Sequence, residues 1–222
     1  MFAPDHRGHG RSEHVGTGGF YHFWDYVRDV DRLCEYLSPH QPVDLIGHSM
    51  GGTIACLFAG ARPERIHRLV VVEGLGPEDT THQAVRQARQ FLRHTRTPRV
   101  HTPLSGIEDA VHRMRFHNPA LSPNLARSLA ERMSDKDGKN WAWDPKHRAR
   151  SPTPFSENQF RVFLREITAP TLVVWGGKRV FPGHHRVADL RDHRVETIPS
   201  AGHLVHHDAP TALAERIEAH LA

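Results

Sequence analysis

The chain has 222 residues, 38% of them hydrophobic, with 17 glycines, 16 prolines and a formal charge of +4. That length suits one domain with room for an inserted subdomain and a sizeable core. No apolar run approaches the roughly 18 residues of a membrane-spanning helix, and the arginines are scattered rather than blocked, which argues against a nucleic-acid footprint and for a solvated basic surface.

The first twelve residues, "MFAPDHRGHGRS", read as a strand ending at Pro4 followed by a tight loop through Asp5, Arg7, Gly8, Gly10 and Ser12. They show no charged segment followed by an apolar one, so no secretory leader is visible. Apolar Phe23, Val27, Val30, Cys34 and Leu37 predict an amphipathic helix over 22–37, ended by Ser38-Pro39. Val43, Leu45 and Ile46 form a short strand that runs into Gly47, and "MGGTIACLFAGA" comes next as a small-residue helix closed by "RPER". "IHRLVVVEGLGP" is a second strand, and its unbroken Val70-Val71-Val72 belongs to a parallel strand covered on both faces.

From about Pro77 to Glu166 the character changes. Helices are predicted at 80–94, 106–117 and 123–133, and "WAWDPKHRARSPTPF" is irregular and aromatic. "APTLVVWGG" and "HRVETIPSAGH" then restore strands, and "APTALAERIEAHL" closes as an amphipathic helix. Strand–helix units interrupted by one helical insertion predict a parallel α/β sheet with a lid. The expected division is core at 1–76, lid at 77–166 and core again at 167–222.

Cys34 and Cys56 lie in apolar helical patterns and read as buried free thiols, which fits a reducing, cytoplasmic compartment. Of the 20 histidines, the doublets His184-His185 and His206-His207 lack the company and spacing of a zinc site and read as surface residues. No metal and no cofactor is expected.

The chemistry concentrates at Gly47-His48-Ser49-Met50-Gly51, a G-x-S-x-G between a strand and a helix. A sharp strand-to-helix turn pushes the serine into strained backbone space and exposes its hydroxyl, and the glycines let the neighbouring backbone approach. The helix N-terminus favours negative charge developing on an attacked carbonyl. A serine needs a base, and the base an orienting acid. His203 in "PSAGHLVHHDAP" lies just beyond the last strand, where parallel sheets build their sites.

Four separated stretches, "APDHRGHGRS", "GHSMGG", "RPERIHRLVVVEG" and "SAGHLVHHDAP", resemble the α/β-hydrolase superfamily in its lid-bearing branch of serine hydrolase-like proteins, esterases and C–C hydrolases. "WAWDP" followed by "FLREITAPTLVVWG" resembles the lid-to-core junction of the serine hydrolase-like proteins. The resemblance implies Ser49 as nucleophile, His203 as general base and Met50 as backbone donor to the oxyanion. It also implies an Asp four residues beyond Trp175, where this chain has Arg179 and the run "GGKRVFPGHH" holds no carboxylate. Asp189 and Asp192 come too late and read as part of a short helix.

The alternative acid site is the end of the preceding core strand, where some relatives such as haloalkane dehalogenases carry a Glu and this chain has Glu73. A carboxylate ending a buried apolar run needs a partner. His203 would be that partner, while Arg68 or the following turn remains a rival one. Asp208 fits an N-cap of the last helix better than an acid. Phe91, Met114, Phe116, Trp141, Trp143 and Phe155 would line an acyl pocket or pack the lid onto the core.

Relatives carry two or three strands, a helix and a second oxyanion donor before "APDHRGHGRS", so the chain reads as an N-terminally truncated hydrolase. The expected function is hydrolysis of a small-molecule ester or related acyl substrate through a Ser-His-Glu triad. The rivals are C–C or thioester hydrolysis and a non-catalytic binding protein of the same fold.

Overall fold

The computed structural model describes all residues except 98–99, 150 and 179–181. In chain order the elements are α1 (Phe23–Leu37), β1 (Val43–His48), α2 (Met50–Ala61), β2 (Ile66–Val72), α3 (Ala84–Arg96), α4 (Ile107–His117), α5 (Pro123–Met133), α6 (Glu157–Glu166), β3 (Thr171–Gly176), β4 (His193–Ile198), α7 (Val205–Asp208) and α8 (Pro210–Leu221). Among the described residues no helix is long and apolar enough to cross a membrane.

The chain divides into two compact units. One, made of residues 23–82 and 154–222, holds the whole sheet. Its order is β1-β2-β3-β4, with every neighbouring pair parallel. Parallel strands stay buried only if both faces are covered, and β2 and β3 meet that condition. Leu69 to Val72 and all six residues of β3 are buried.

On one face Val70, Val72, Leu172 and Val174 form a core with Ile198, Ala201, Val205 and Leu213, against which Ile217 and Leu221 of α8 pack. Burying each valine, leucine or isoleucine side chain of this core fully is worth about 1.5–3 kcal/mol. Elsewhere α2 packs on β1 and β2 and also meets α1 and α6. Its stretch from Gly52 to Gly60 is entirely buried, which explains why small residues dominate a helix that has no solvent face. β1 is an edge strand, and its Ile46 is 40% exposed.

Two elements of this unit go beyond the sequence expectation. Helix α6 is not among the predicted helices, yet Ser156 Oγ accepts the Gln159 N–H at 3.3 Å, and Phe160 and Leu164, one turn apart, are buried. It is a capped amphipathic segment too short for its periodicity to stand out. Helix α7 is a single turn after β4.

The second unit comprises residues 1–22 and 83–153. Helices α4 and α5 match their predicted spans closely; α3 starts later than predicted, after a 3₁₀ turn at Thr81–Gln83. Leu104, Ala110 and Ala130 form a small core, with Ile107, Val111, Met114 and Trp141 packed against it.

The strand expected to end at Pro4 is not formed. Residues 1–6 are irregular, and Met1 and Phe2 are exposed. From Asp5 to Ser12 the chain closes on itself as a loop. Asp5 Oδ2 accepts the Arg11 N–H at 3.0 Å, and Ser12 Oγ donates to the Asp5 carbonyl at 2.6 Å. The loop joins residues 143–144 through a His9–Trp143 bridge and an Asp144 N–H bond to the Gly8 carbonyl. Tyr21 adds a hydroxyl bond to Asp144 Oδ2 at 2.9 Å. These bonds place residues 1–22 with 83–153, so the compact units depart from the division at 76 and 166.

Candidate active site

Because the sheet is parallel, its strands finish at one edge, and the predicted site residues come from those ends. β1 ends at His48, and Ser49 makes the turn into α2. Ser49 has φ 53° and ψ −118°, and Glu73 has φ 50°. Among the described residues these are the two non-glycine positions with positive φ. Such backbone costs of order 1–3 kcal/mol and persists only where the surroundings over-determine it.

For Ser49 the surroundings are clear. Its N–H donates to the Val72 carbonyl at 2.9 Å, and its carbonyl accepts the Thr53 N–H at 3.1 Å. A Cβ at Gly47 would collide with the carbonyl of Gly51, so the strand and helix can cross this tightly only with glycine there.

Glu73 comes directly after β2, and its side chain is 1% exposed. Its N–H donates to the Val174 carbonyl at 3.0 Å. Oε1 accepts the Gly176 N–H at 2.6 Å, and Oε2 lies 3.1 Å from His203 Nδ1. His203 Nε2 lies 2.9 Å from Ser49 Oγ. The structure therefore brings Ser49, His203 and Glu73 into one line. With the carboxylate accepting from Nδ1–H, Nε2 is left with a lone pair toward the serine hydroxyl. The buried carboxylate has a donor on each oxygen, which offsets its desolvation.

His203 reaches this position from the loop after β4. That loop is laid against the end of β3 by Gly177 N–H to the Ile198 carbonyl and Lys178 N–H to the Ala201 carbonyl. A Cβ at Gly176 would strike the carbonyl of Gly202, so the loop's close approach requires glycine at the strand end.

Met50 opens α2, where the first N–H groups of a helix have no intrahelical acceptor. Gly51 lies in the same turn. His48 does more than fill the turn: its Nε2 is 2.8 Å from the carbonyl of His203. A carbonyl only accepts, so Nε2 carries the proton. Burial holds the His48 imidazole below its ordinary range. Nothing in the sequence beyond adjacency to Ser49 signals this contact.

The rival partners lie elsewhere. Arg68 donates to the Leu221 carbonyl at 2.7 Å rather than to Glu73. Asp189 ends a 3₁₀ turn, His184–Asp189, and pairs with Arg161 and Arg165; Asp192 lies beyond that turn. Arg179 lies outside the described residues. Asp208 does not cap α8, whose N-cap is Ala209; its Oδ2 accepts the Gly202 N–H at 2.8 Å. His184 is not a simple surface residue, since it stacks on Trp175 at 3.9 Å and is half-buried.

The aromatic candidates find partners within their own units. Phe91 meets Phe20, Trp143 meets His101, and Phe155 meets Phe160, while Phe116 is exposed.

A parallel α/β sheet ending in such a strand–serine–helix turn defines the class of α/β hydrolases. The sequence model described as "alpha/beta hydrolase fold" matches residues 1–210, and the chain belongs to that family. A serine hydrolase-like protein of Danio rerio is 35% identical over 140 residues, 59% of this chain and 41% of that protein. A serine hydrolase-like protein of Dictyostelium discoideum is 26% identical over 191 residues, 79% of this chain and 52% of the relative. The chain thus spans about half the length of these curated relatives. Among solved structures, the thioesterase domain from the curacin biosynthetic pathway superposes with a TM-score of 0.85 at 30% identity, covering 97% of this chain and 79% of that one.

Proposed function

We propose that this protein is a serine hydrolase that cleaves a small-molecule ester or related acyl substrate through Ser49, His203 and Glu73. The observation that carries the reading is the line of contacts from Glu73 Oε2 to His203 Nδ1 at 3.1 Å and from His203 Nε2 to Ser49 Oγ at 2.9 Å. His203 takes the Ser49 proton as the oxygen attacks the acyl carbon. The oxyanion faces the Met50 N–H at the start of α2, where the helix dipole favours negative charge. His203 then protonates the leaving group, and an acyl group remains on Ser49. Water, deprotonated by His203, releases the acid and restores the serine. Glu73 balances the imidazolium at both steps.

Likeness to a thioesterase domain over 97% of the chain supports a thioester as the second substrate class.

A fluorophosphonate probe tests the reading, because an activated serine attacks its phosphorus and displaces fluoride. The wild-type chain is expected to label, and Ser49→Ala to abolish labelling. An unlabelled wild type, or labelling that survives in Ser49→Ala, overturns the assignment.

A further inference from the structure

We propose that His48 and Asp208 are positioning residues that clamp the Gly202-His203 backbone from both sides; this rests on reading Ser49 and His203 as nucleophile and base. The two bonds bracket one dipeptide. Asp208 Oδ2 accepts the Gly202 N–H at 2.8 Å, and His48 Nε2–H donates to the His203 carbonyl at 2.8 Å.

The dipeptide needs such support. It lies between β4 and α7, outside any strand or helix, and Gly202 is the residue type least restricted in φ and ψ. Its imidazole nevertheless has to meet two partners at once, Glu73 on one nitrogen and Ser49 on the other. A small rotation of the backbone would displace both contacts. Misplacing a catalytic group by about 1 Å can lower a rate on the order of 100-fold.

His48 is the covalent neighbour of Ser49. Its bond to the His203 carbonyl therefore references the base directly to the turn that presents the hydroxyl, across 155 residues of sequence. The ring is held in place by His206, which meets it edge-on at 4.6 Å. Burial disfavours a second proton on His48. It thus works as a neutral donor and adds no cation beside the imidazolium that forms on His203 during the reaction. Asp208 closes the other side from the last residue of α7, and no side-chain cap of α8 competes for its carboxylate.

The test compares His48→Ala with His48→Gln, and Asp208→Ala with Asp208→Asn, in fluorophosphonate labelling of the full chain. The glutamine amide N–H can reach about where imidazole Nε2–H lies, and the asparagine carbonyl still accepts from Gly202. Each alanine variant is expected to lower the maximal labelling rate about 10- to 100-fold, with the half-saturating probe concentration within about twofold. Each conservative variant is expected to recover most of that loss.

Alanine variants within about threefold of wild type, or conservative variants as slow as alanine, overturn the clamp. If His48→Ala loses its folded circular-dichroism signal, the Asp208 pair decides by the same criterion. Wild-type labelling that is absent, or independent of Ser49, overturns the underlying hydrolase reading instead.

Discussion

Ser49 and Glu73 share a property that composition and periodicity do not carry: both hold a positive φ that their side chains disfavour. At Ser49 the strain comes from a turn between two glycines, and the G-x-S-x-G pattern makes it legible in sequence. At Glu73 it was legible only as a carboxylate closing a valine run, with Arg68 as an open rival. Proximity in the fold decided between them, through bonds from Gly176 and His203. Glu73→Gln would keep an oxygen for the Gly176 N–H but could not balance an imidazolium. Its turnover of p-nitrophenyl acetate is expected to fall about 10³–10⁴-fold, with the circular-dichroism spectrum intact. Unchanged turnover would move the acid to another residue. His48 and Asp208 were not legible in these roles, because each bonds to a backbone atom, and backbone atoms leave no trace in residue identity.

At the scale of elements, long apolar runs proved the most readable feature. β2 and β3 are continuous valine- and leucine-rich stretches, and they occupy the middle of the sheet. Leu172 of β3 is fully buried in the core that α8 covers. Leu172→Ala should therefore destabilise the fold by about 2–5 kcal/mol, measured by urea unfolding. A loss below about 1 kcal/mol would show that the site collapses around the deletion. Short elements were harder. The ten residues of α6 and the single turn of α7 are too brief for a periodic signal, and their stability comes from packing rather than from propensity.

At the scale of the molecule, acid should act through half-buried histidines. In the unit formed by residues 1–22 and 83–153, burial and the nearby His9 push His147 down to about 4 from an ordinary 6.5. Between those values the unfolded chain binds a proton that the folded one excludes, so stability falls as pH drops from 6.5 toward 4 and is unaffected above that window. His147→Phe, which can still stack on Tyr21, is expected to lose less stability than wild type between about pH 7 and about pH 4.5 in urea unfolding. Equal losses would assign the acid sensitivity to other groups.

The sequence by itself determined the parallel α/β class, the strand–serine–helix turn and the order of serine before histidine. Each is written in local pattern: apolar run length, glycine spacing and position after a strand. Tertiary structure alone decided that residues 1–22 join 83–153, that Glu73 faces His203 rather than Arg68, and that His48 and Asp208 bond to the backbone of His203 and Gly202. Those are contacts between distant segments, set by how the ends of parallel strands converge, and no local pattern encodes them.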